Sequence, residues 1–380
     1  MAKRKFKLPG VQDLNKSQDK VLRLPENGQF LVVGGPGTGK SVVALLRTLK
    51  FIKNSDYVFL TYNKVLLSAT LQLVERNLES RTLTSLIYAA YHKQFNENTP
   101  EIKKYKPDYN QIVNDFEKLD KNPISLHLII DEGQDMPPKF YEALMYLGIE
   151  NFFIVADQNQ QITEDNSSRE ELTNLLGLEV ENVIELKENF RNSYQIALFS
   201  KTFFTDPSSP SPNLPSISTT SLGTPILYEY THYLDCIRII LREADKDDRN
   251  LIGVVVAKND MRDSYVEALQ TIDINLDNQR PIISTYKSGM ESTIDFSNGG
   301  IVVLNDKSVK GLEFDIVYIV IDGFKIYNND IDSMKKRFYV MSSRAIKKLV
   351  LLKNKDYNGG IEEILPKDEN ILKRERLDNG

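Results

Sequence analysis

The sequence of 380 residues contains one cysteine, Cys236, and no tryptophan. A single cysteine excludes a disulfide within the chain and is typical of proteins from a reducing compartment. The net charge of −5 excludes a chain that is basic overall, although a local basic groove for nucleic acid is compatible with it. No apolar run is long enough to cross a bilayer, so we expect no membrane partner.

The first residues, MAKRKFKLPG, are charged and lack the apolar run of a signal peptide, which leads us to expect a cytoplasmic protein. Residues 1–9 are basic and predict a solvated tail. Hydrophobic residues make up 41% of the chain and charged residues 27%, which is typical of a globular protein. This length accommodates two or three domains.

Residues 30–41, FLVVGGPGTGKS, join a short apolar run to a glycine-rich turn that ends in Lys40 and Ser41. This spacing predicts a phosphate-binding loop between a strand and a helix. Glycines let backbone N–H groups turn toward phosphate oxygens, and the following helix presents its positive end to the same anion. We expect Lys40 to reach the terminal phosphates of a nucleotide and the Ser41 hydroxyl to hold Mg²⁺. The predicted nucleotide-binding residues here are Gly35, Pro36, Gly37, Thr38, Gly39, Lys40 and Ser41.

A second apolar run, residues 128–130, ends in the carboxylates Asp131 and Glu132. Ligands bind at the carboxyl ends of strands in open α/β sheets. The pattern therefore predicts Asp131 as a Mg²⁺ ligand, directly or through water, and Glu132 as the base that deprotonates an attacking water. A third run, residues 152–155, leads to Asp157 and Gln160, and Gln160 is a candidate sensor of the γ-phosphate.

Strand and helix patterns alternate along both halves of the chain, which predicts two α/β units with parallel sheets. Residues 206–225 are rich in proline, serine and threonine and predict a loop. The run 349–352 is predicted as the final strand, and the polar residues 365–380 are expected to be frayed. Gln18 lies in a helical pattern just before the phosphate loop, and its amide matches the adenine edge.

The order of these motifs resembles that of superfamily 1 helicases, nearest to the UvrD/Rep/PcrA group. GGPGTGKS and IIDEGQD are similar to its Walker A and Walker B motifs, and residues 157–160 resemble its third motif, with Ala156 where glycine is usual. ENFRN, KSVKGLEF and YVMSSRA are similar to three further motifs at residues 188–192, 307–314 and 339–345. The resemblance extends over nearly the whole chain.

The resemblance implies two tandem RecA-like P-loop NTPase domains with ATP in the cleft between them. It places the first domain at residues 1–185 and the second at 186–380, with 206–225 as a surface loop. Composition alone would divide the chain at 206–225, but Arg191 must approach ATP from the side opposite Lys40. Arg191 and Arg344 would then be the arginine fingers. Gln18 would read adenine, and Gly311 and Glu313 would lie near the nucleotide.

The resemblance also implies a single-stranded DNA partner, with RNA as a further possibility. The residues that would line the strand channel are Tyr62, Asn63, Thr82, Thr84 and Lys307. The chain departs from the family in this respect: Lys307 replaces the usual histidine, and the aromatic residue and arginine that usually follow the third motif are missing. The intervals 86–127 and 192–309 are also too short for the large accessory domains of UvrD-like proteins.

Two hypotheses therefore remain open. In the first, the protein is a UvrD-like translocase or helicase that couples ATP hydrolysis to movement on single-stranded DNA. In the second, it is an ATPase switch subunit that regulates a protein partner such as a nuclease. The channel residues Asn63 and Thr82 favour the first hypothesis. The missing accessory domains, the missing stacking residues and the acidic balance favour the second.

Overall fold

The computed structural model describes residues 8–51, 56–74, 77–120, 122–160, 166–205, 213–216, 223–287, 292 and 294–377. The chain divides into two compact units. The first unit comprises Leu8–Leu67 and Val74–Lys187, and the second comprises Glu188–Gly380 together with Ser68–Leu73. The predicted tail 1–9 and loop 206–225, and the segment that follows the third motif, lie largely outside the described residues.

The first unit is built on a six-stranded sheet in which every strand pair is parallel. Its strands are β1 (Gln29–Gly34), β2 (Tyr57–Thr61), β3 (Ser80–Thr82), β6 (Ile124–Ile130), β7 (Ile149–Ala156) and β8 (Val183–Leu186), in the order β3-β2-β6-β7-β1-β8. Two further strands, β4 (Glu101–Lys103) and β5 (Lys106–Pro107), form a separate antiparallel hairpin.

The helices of the first unit are α1 (Lys16–Leu22), α2 (Lys40–Arg47), α3 (Lys64–Leu73), α4 (Leu83–Phe95), α5 (Tyr109–Phe116), α6 (Pro138–Tyr146) and α7 (Arg169–Leu175). Residues 68–73 of α3 group with the second unit. The strands β1, β2 and β7 are almost entirely buried, as expected for a parallel sheet covered on both faces.

The second unit is built on a seven-stranded sheet that is also parallel throughout. Its strands are β9 (Ile226–Tyr230), β10 (Leu251–Val256), β11 (Ile283–Thr285), β12 (Gly300–Asn305), β13 (Phe314–Val320), β14 (Ala345–Asn354) and β15 (Lys373–Arg376), in the order β11-β12-β10-β13-β14-β9-β15. Its helices are α8 (Tyr194–Lys201), α9 (Tyr233–Lys246), α10 (Asn259–Thr271) and α11 (Ile331–Ser342). The predicted pair of parallel, RecA-like α/β domains is therefore confirmed.

The prediction of a frayed C-terminus after a final strand at 349–352 is wrong. Strand β15 pairs in parallel with β9, and Leu372, just before it, is fully buried. The signal was missed because β15 reads KRER, and charged side chains are typical of an edge strand that faces solvent. Hydrophobic periodicity cannot detect such a strand.

Strand register places several loops of the first unit at one edge of its sheet. Val33 on β1 pairs with Ala156 on β7, and Ile154 on β7 pairs with Ile130 on β6. Because these strands are parallel, the phosphate loop and the segments after β6 and β7 emerge side by side. In the described part of the chain, no helix combines the length and apolar character of a membrane span.

Candidate active site

The phosphate loop leaves β1 and ends at the first turn of α2. Gly37 and Gly39 have φ values of 73° and 84°, a left-handed conformation that glycine adopts without steric cost. A Cβ atom on Gly39 would also lie 2.3 Å from Nε2 of Gln18. The Thr38 hydroxyl donates to the Gly35 carbonyl at 2.9 Å, which closes the turn. The loop therefore needs glycine at position 39 both for its backbone angle and for the close approach of Gln18.

Gln18 supports this loop from α1. Asn15 caps α1, and the two side chains exchange hydrogen bonds: Gln18 N–H donates to Asn15 Oδ1 at 2.8 Å, and Asn15 N–H donates to Gln18 Oε1 at 3.1 Å. Gln18 Nε2 donates to the Thr38 carbonyl at 2.9 Å. The Gln18 amide keeps a second N–H and a second lone pair, which could pair with an adenine edge. The reading of adenine by Gln18 stays a prediction.

Lys40 is buried at the start of α2 and lies between the loop and the segment after β7. Its Nζ donates to the Gly35 carbonyl at 2.8 Å and lies 3.7 Å from the Asp157 carboxylate. The ammonium is thus held at the mouth of the loop, where a bound phosphate would be an alternative partner.

Ser41 and Asp131, the two predicted Mg²⁺ ligands, are neighbours. The Ser41 hydroxyl lies close enough to the Asp131 carboxylate to lower its pKa. Burial, and then the neighbouring Glu132 carboxylate, raise the pKa of Asp131 to about 7, while Ser41 and the Lys40 charge act in the opposite direction. A hydroxyl beside two buried carboxylates is an oxygen donor set that suits Mg²⁺, and a bound cation would relieve their repulsion. The residues present therefore fit the metal.

Glu132 is buried and adopts a left-handed backbone conformation with φ of 57°. Such a conformation is uncommon for a residue with a long side chain and is concentrated at functional sites. Gln134 Nε2 donates to Glu132 Oε2 at 2.6 Å, and Gln134 Oε1 accepts from the Asp157 N–H at 3.0 Å. Gln134 therefore fixes the direction of the Glu132 side chain.

Asp157 connects the remaining first-unit candidates. Its Oδ2 accepts from Gln160 Nε2 at 2.6 Å and lies near the Lys40 ammonium. The structure thus brings Lys40, Ser41, Asp131, Glu132 and Gln160 together at one edge of the first sheet. Sequence reasoning did not assign a role to Gln134 or Asp157. The signal for Asp157 was a polar side chain directly after the buried strand β7, and Gln134 lies four residues after the end of β6.

The second-unit candidates form a group of their own. Arg191 makes an ion pair with Glu313, and Gly311 has a left-handed φ of 77° two residues before Glu313. Asn192 Nδ2 donates to the Ser343 carbonyl at 3.0 Å and to the Ala345 carbonyl at 2.6 Å. The turn that carries Arg191 is therefore fastened to the segment that carries Arg344.

Arg344 is almost fully buried at the C-terminal end of α11. Its Nε donates to the Val340 carbonyl at 2.9 Å, and its guanidinium donates to the Ser343 hydroxyl at 3.0 Å. Its own carbonyl accepts from Phe314 N–H at 3.0 Å. The KSVKGLEF and YVMSSRA motifs thus meet within this unit.

Four of the five candidate nucleic-acid residues share the carboxyl edge of the first sheet. Thr61 on β2 pairs with Thr82 on β3, so Tyr62 and Asn63 emerge beside Thr82 and Thr84. Asn63 caps α3 by accepting from Leu66 N–H at 2.8 Å, and Thr82 caps α4 by accepting from Ser85 N–H at 3.3 Å. The fifth, Lys307, is exposed and belongs to the second unit.

The parallel sheet, the phosphate loop and the acidic strand end define the first unit as a P-loop nucleotide-binding domain. Residues 18–166 match the AAA domain family. The match begins at Gln18 and includes the phosphate loop, Asp131, Glu132 and Gln160. No curated protein matches the chain.

Three solved helicase structures are similar to the chain. The C-terminal domain of a possible DNA helicase from Lactobacillus plantarum WCFS1 has 14% identity and a TM-score of 0.34, covering 49% of this chain and 98% of that one. Arterivirus nonstructural protein 10, a helicase, has 10% identity and a TM-score of 0.41, and the match covers 92% of this chain and 64% of the arterivirus chain. The PRRSV helicase has 10% identity and a TM-score of 0.43, and the match covers 92% of this chain and 56% of the PRRSV chain. This chain therefore spans less than two thirds of both viral proteins.

Proposed function

We propose that the protein is a Mg²⁺-dependent ATPase that couples hydrolysis to movement on single-stranded DNA, as UvrD-like translocases do. One observation carries the proposal: Lys40, Ser41, Asp131 and Asp157 meet at one sheet edge, where Lys40 Nζ lies 3.7 Å from the Asp157 carboxylate and Ser41 is near enough to Asp131 to lower its pKa. Phosphoryl transfer depends mostly on positioning and charge neutralisation, and this group of side chains offers both.

Each first-unit residue has a distinct part in the proposed reaction. Lys40 and the N–H groups of the loop bind the phosphates, and Ser41 and Asp131 hold the cation. The cation would neutralise charge on the β- and γ-phosphate oxygens. Glu132, aimed by Gln134, accepts the proton of the attacking water. Gln160 reports the state of the γ-phosphate to the turn after β7.

Arg191 and Arg344 are the proposed source of positive charge in addition to Lys40. We assign both to the transferring phosphoryl group, a role that arginine fingers fill in related hydrolases. Glu313 keeps the Arg191 guanidinium paired until a nucleotide oxygen replaces it as the partner. If hydrolysis requires both arginines to reach the phosphoryl group, it is coupled to motion of the domains.

We assign the binding site for single-stranded DNA to the carboxyl edge of β2 and β3. Asn63 and Thr82 cap two neighbouring helices there, α3 and α4, and helix N-termini favour phosphate. Tyr62 provides a ring for stacking and Thr84 a further hydroxyl. Lys307 is the second unit's candidate for a phosphate contact.

A second candidate function is an ATPase switch that controls a protein partner such as a nuclease. In the described residues between β3 and β6, the chain forms α4, a short hairpin and α5, without a large inserted domain. Large accessory domains are the part of UvrD-like proteins that contacts duplex DNA. The short segment between β3 and β6 therefore favours a role other than unwinding.

Steady-state ATPase measurements separate the two candidates. The purified chain is assayed with Mg²⁺ alone and then with single-stranded DNA, single-stranded RNA or duplex DNA, and Lys40→Ala reports contaminating activity. Stimulation by a single strand supports the translocase, and comparison of DNA with RNA identifies the strand. An ATPase rate that no nucleic acid changes would sink the translocase and leave the switch.

A further inference from the structure

The hairpin formed by β4 and β5 presents an exposed basic and aromatic tip. Its two-residue turn is Lys104 and Tyr105, and the Tyr105 side chain is 75% exposed. Lys103 and Lys104 are exposed as well, and Lys106 is partly exposed. A chain with a net charge of −5 therefore concentrates three lysines around one exposed ring.

This tip is held in place rather than left as a loose loop. Glu101 accepts hydrogen bonds from the Tyr88 hydroxyl on α4 and from the Tyr105 N–H, the latter at 3.2 Å. The base of the hairpin is closed by Asp108 N–H, which donates to the Pro100 carbonyl at 2.8 Å. Tyr105 has a φ of 66°, which is uncommon for a residue with a bulky side chain. The fold therefore keeps the Tyr105 ring in solvent although glycine or asparagine would adopt this backbone conformation more readily.

The hairpin is attached close to the residues that we propose to contact single-stranded DNA. Tyr88, its anchor on α4, follows Thr84 by four residues, so both lie on the same face of the helix about one turn apart. A strand that contacts Thr82 and Thr84 would therefore have the hairpin within reach of its next nucleotides.

The chemistry of the tip fits a nucleic-acid strand. Lys104 Nζ lies 5.0 Å from the centre of the Tyr105 ring, so one site combines a cation with an aromatic face. Proteins that bind single strands without sequence preference use cations for the phosphates and aromatic rings for base stacking. An acidic protein surface would need the lysines but not the exposed ring.

We infer that the β4–β5 hairpin is a second grip on the single strand, in which Tyr105 stacks on a base and Lys103 and Lys104 bind phosphates. The inference rests on the proposed strand-dependent function and adds residues to it. It also supplies a stacking residue in a chain that lacks tryptophan and lacks the usual aromatic residue after its third motif.

The test is fluorescence anisotropy of a labelled oligo(dT) with the full chain, without nucleotide. Tyr105→Ala is expected to raise Kd about tenfold, the loss of one stacked base, whereas Tyr105→Phe keeps Kd unchanged. The double substitution Lys103→Ala, Lys104→Ala is expected to reduce the slope of log K against log salt by about 1.4, roughly 0.7 for each lost phosphate contact.

Tyr327→Ala is the matched control. Tyr327 is 66% exposed and the centre of its ring lies 5.6 Å from Lys325 Nζ, but Asn328, Asn329 and Asp330 follow it in place of lysines. Its Kd should equal that of the unmodified chain. Melting curves of all variants establish that the fold is intact.

The outcomes separate the hairpin from the proposed function. Tight binding by the unmodified chain that Tyr105→Ala leaves unchanged overturns the hairpin grip and leaves the translocase standing. Binding that the double lysine variant weakens but Tyr105→Ala does not also overturns it, since that result indicates a purely electrostatic contact. If the unmodified chain binds neither oligo(dT) nor a matching RNA, the strand-dependent function and the hairpin grip fail together.

Discussion

Gln134 and Glu132 are joined by a hydrogen bond of 2.6 Å in which the buried amide donates to the carboxylate. The other end of the same amide accepts from the Asp157 backbone. Gln134 is therefore a positioning residue, because it aims the proposed base and holds the turn after β7 with one side chain.

Substitution of Gln134 should lower the rate of hydrolysis more than it lowers nucleotide affinity. Gln134→Leu removes the donor to Glu132, and we expect kcat to fall about tenfold or more with little change in KM for ATP. It also leaves the Asp157 N–H without its acceptor, which should lower the free energy of unfolding by about 2 kcal/mol. A variant with normal kcat and reduced stability would show that Gln134 is structural only.

Glu132→Gln should separate nucleotide binding from turnover. The amide keeps the size of the side chain but cannot accept a proton, so kcat is expected to fall by about 10²- to 10⁴-fold. Binding of a fluorescent ATP analogue in the presence of Mg²⁺ should be retained. Glu142→Gln is the control, because Glu142 is a partly exposed residue of α6 that pairs with Lys139. Turnover at the normal rate in Glu132→Gln would refute the assignment of the base.

Arg344→Ala should abolish hydrolysis while nucleotide affinity is largely kept. Removal of one arginine finger typically lowers kcat by about 10³-fold or more. Because Arg344 is buried and bonds to Val340 and Ser343, Arg344→Lys serves as a variant that keeps the charge and most of the packing. If both variants hydrolyse ATP at the original rate, the two-domain arginine assignment is wrong.

Arg47 should be a major stabilising residue of the first unit. Its guanidinium donates to the carbonyls of Leu24, Pro25 and Glu26, and it lies 4.5 Å from the centre of the Phe153 ring. Burial lowers the pKa of Arg47 to about 10.

Arg47→Ala is expected to lower the free energy of unfolding by about 3 kcal/mol, because it removes charge-assisted hydrogen bonds and a desolvated cation–π contact. Arg23→Ala is the control, since the Arg23 side chain is 78% exposed in its pair with Asp19. That surface pair should contribute less than about 1 kcal/mol. Equal urea midpoints for both variants would contradict the prediction.

The last strand of the second unit should depend on Leu372. Leu372→Ala empties a fully buried position and is expected to lower the free energy of unfolding by about 3 kcal/mol. Hydrogen exchange of the Lys373 and Leu377 amides, which donate to Pro225 and Glu229, should accelerate. Leu234→Ala, at a position that is 44% exposed, is the control and should leave both amides protected.

Local patterns sufficed for the parts of the chain where composition and structure agree. The turn FLVVGGPGTGKS needs glycines and a following helix whatever surrounds it, and the apolar runs before Asp131 and Asp157 form strands by period and burial. These predictions succeeded because the signal lies within a few neighbouring residues. The same approach missed the strand β15, because an edge strand made only of charged residues has no apolar period.

The contacts within the site required the tertiary structure. Nothing in the spacing of Gln18 and Thr38 indicates that the Gln18 amide donates to the Thr38 carbonyl. Gln134 reaches the Asp157 backbone only because β6 and β7 are paired neighbours in the sheet. The same holds in the second unit for Asn192, which binds carbonyls about 150 positions further along the chain.

The sequence by itself therefore determined the phosphate loop and the acidic strand end, because their chemistry is carried by short runs of residues. Only the tertiary structure decided which side chains orient these groups, as Gln134 orients Glu132. Hydrogen bonds between distant residues depend on strand order and register, and both are set by packing of the whole sheet rather than by any local pattern.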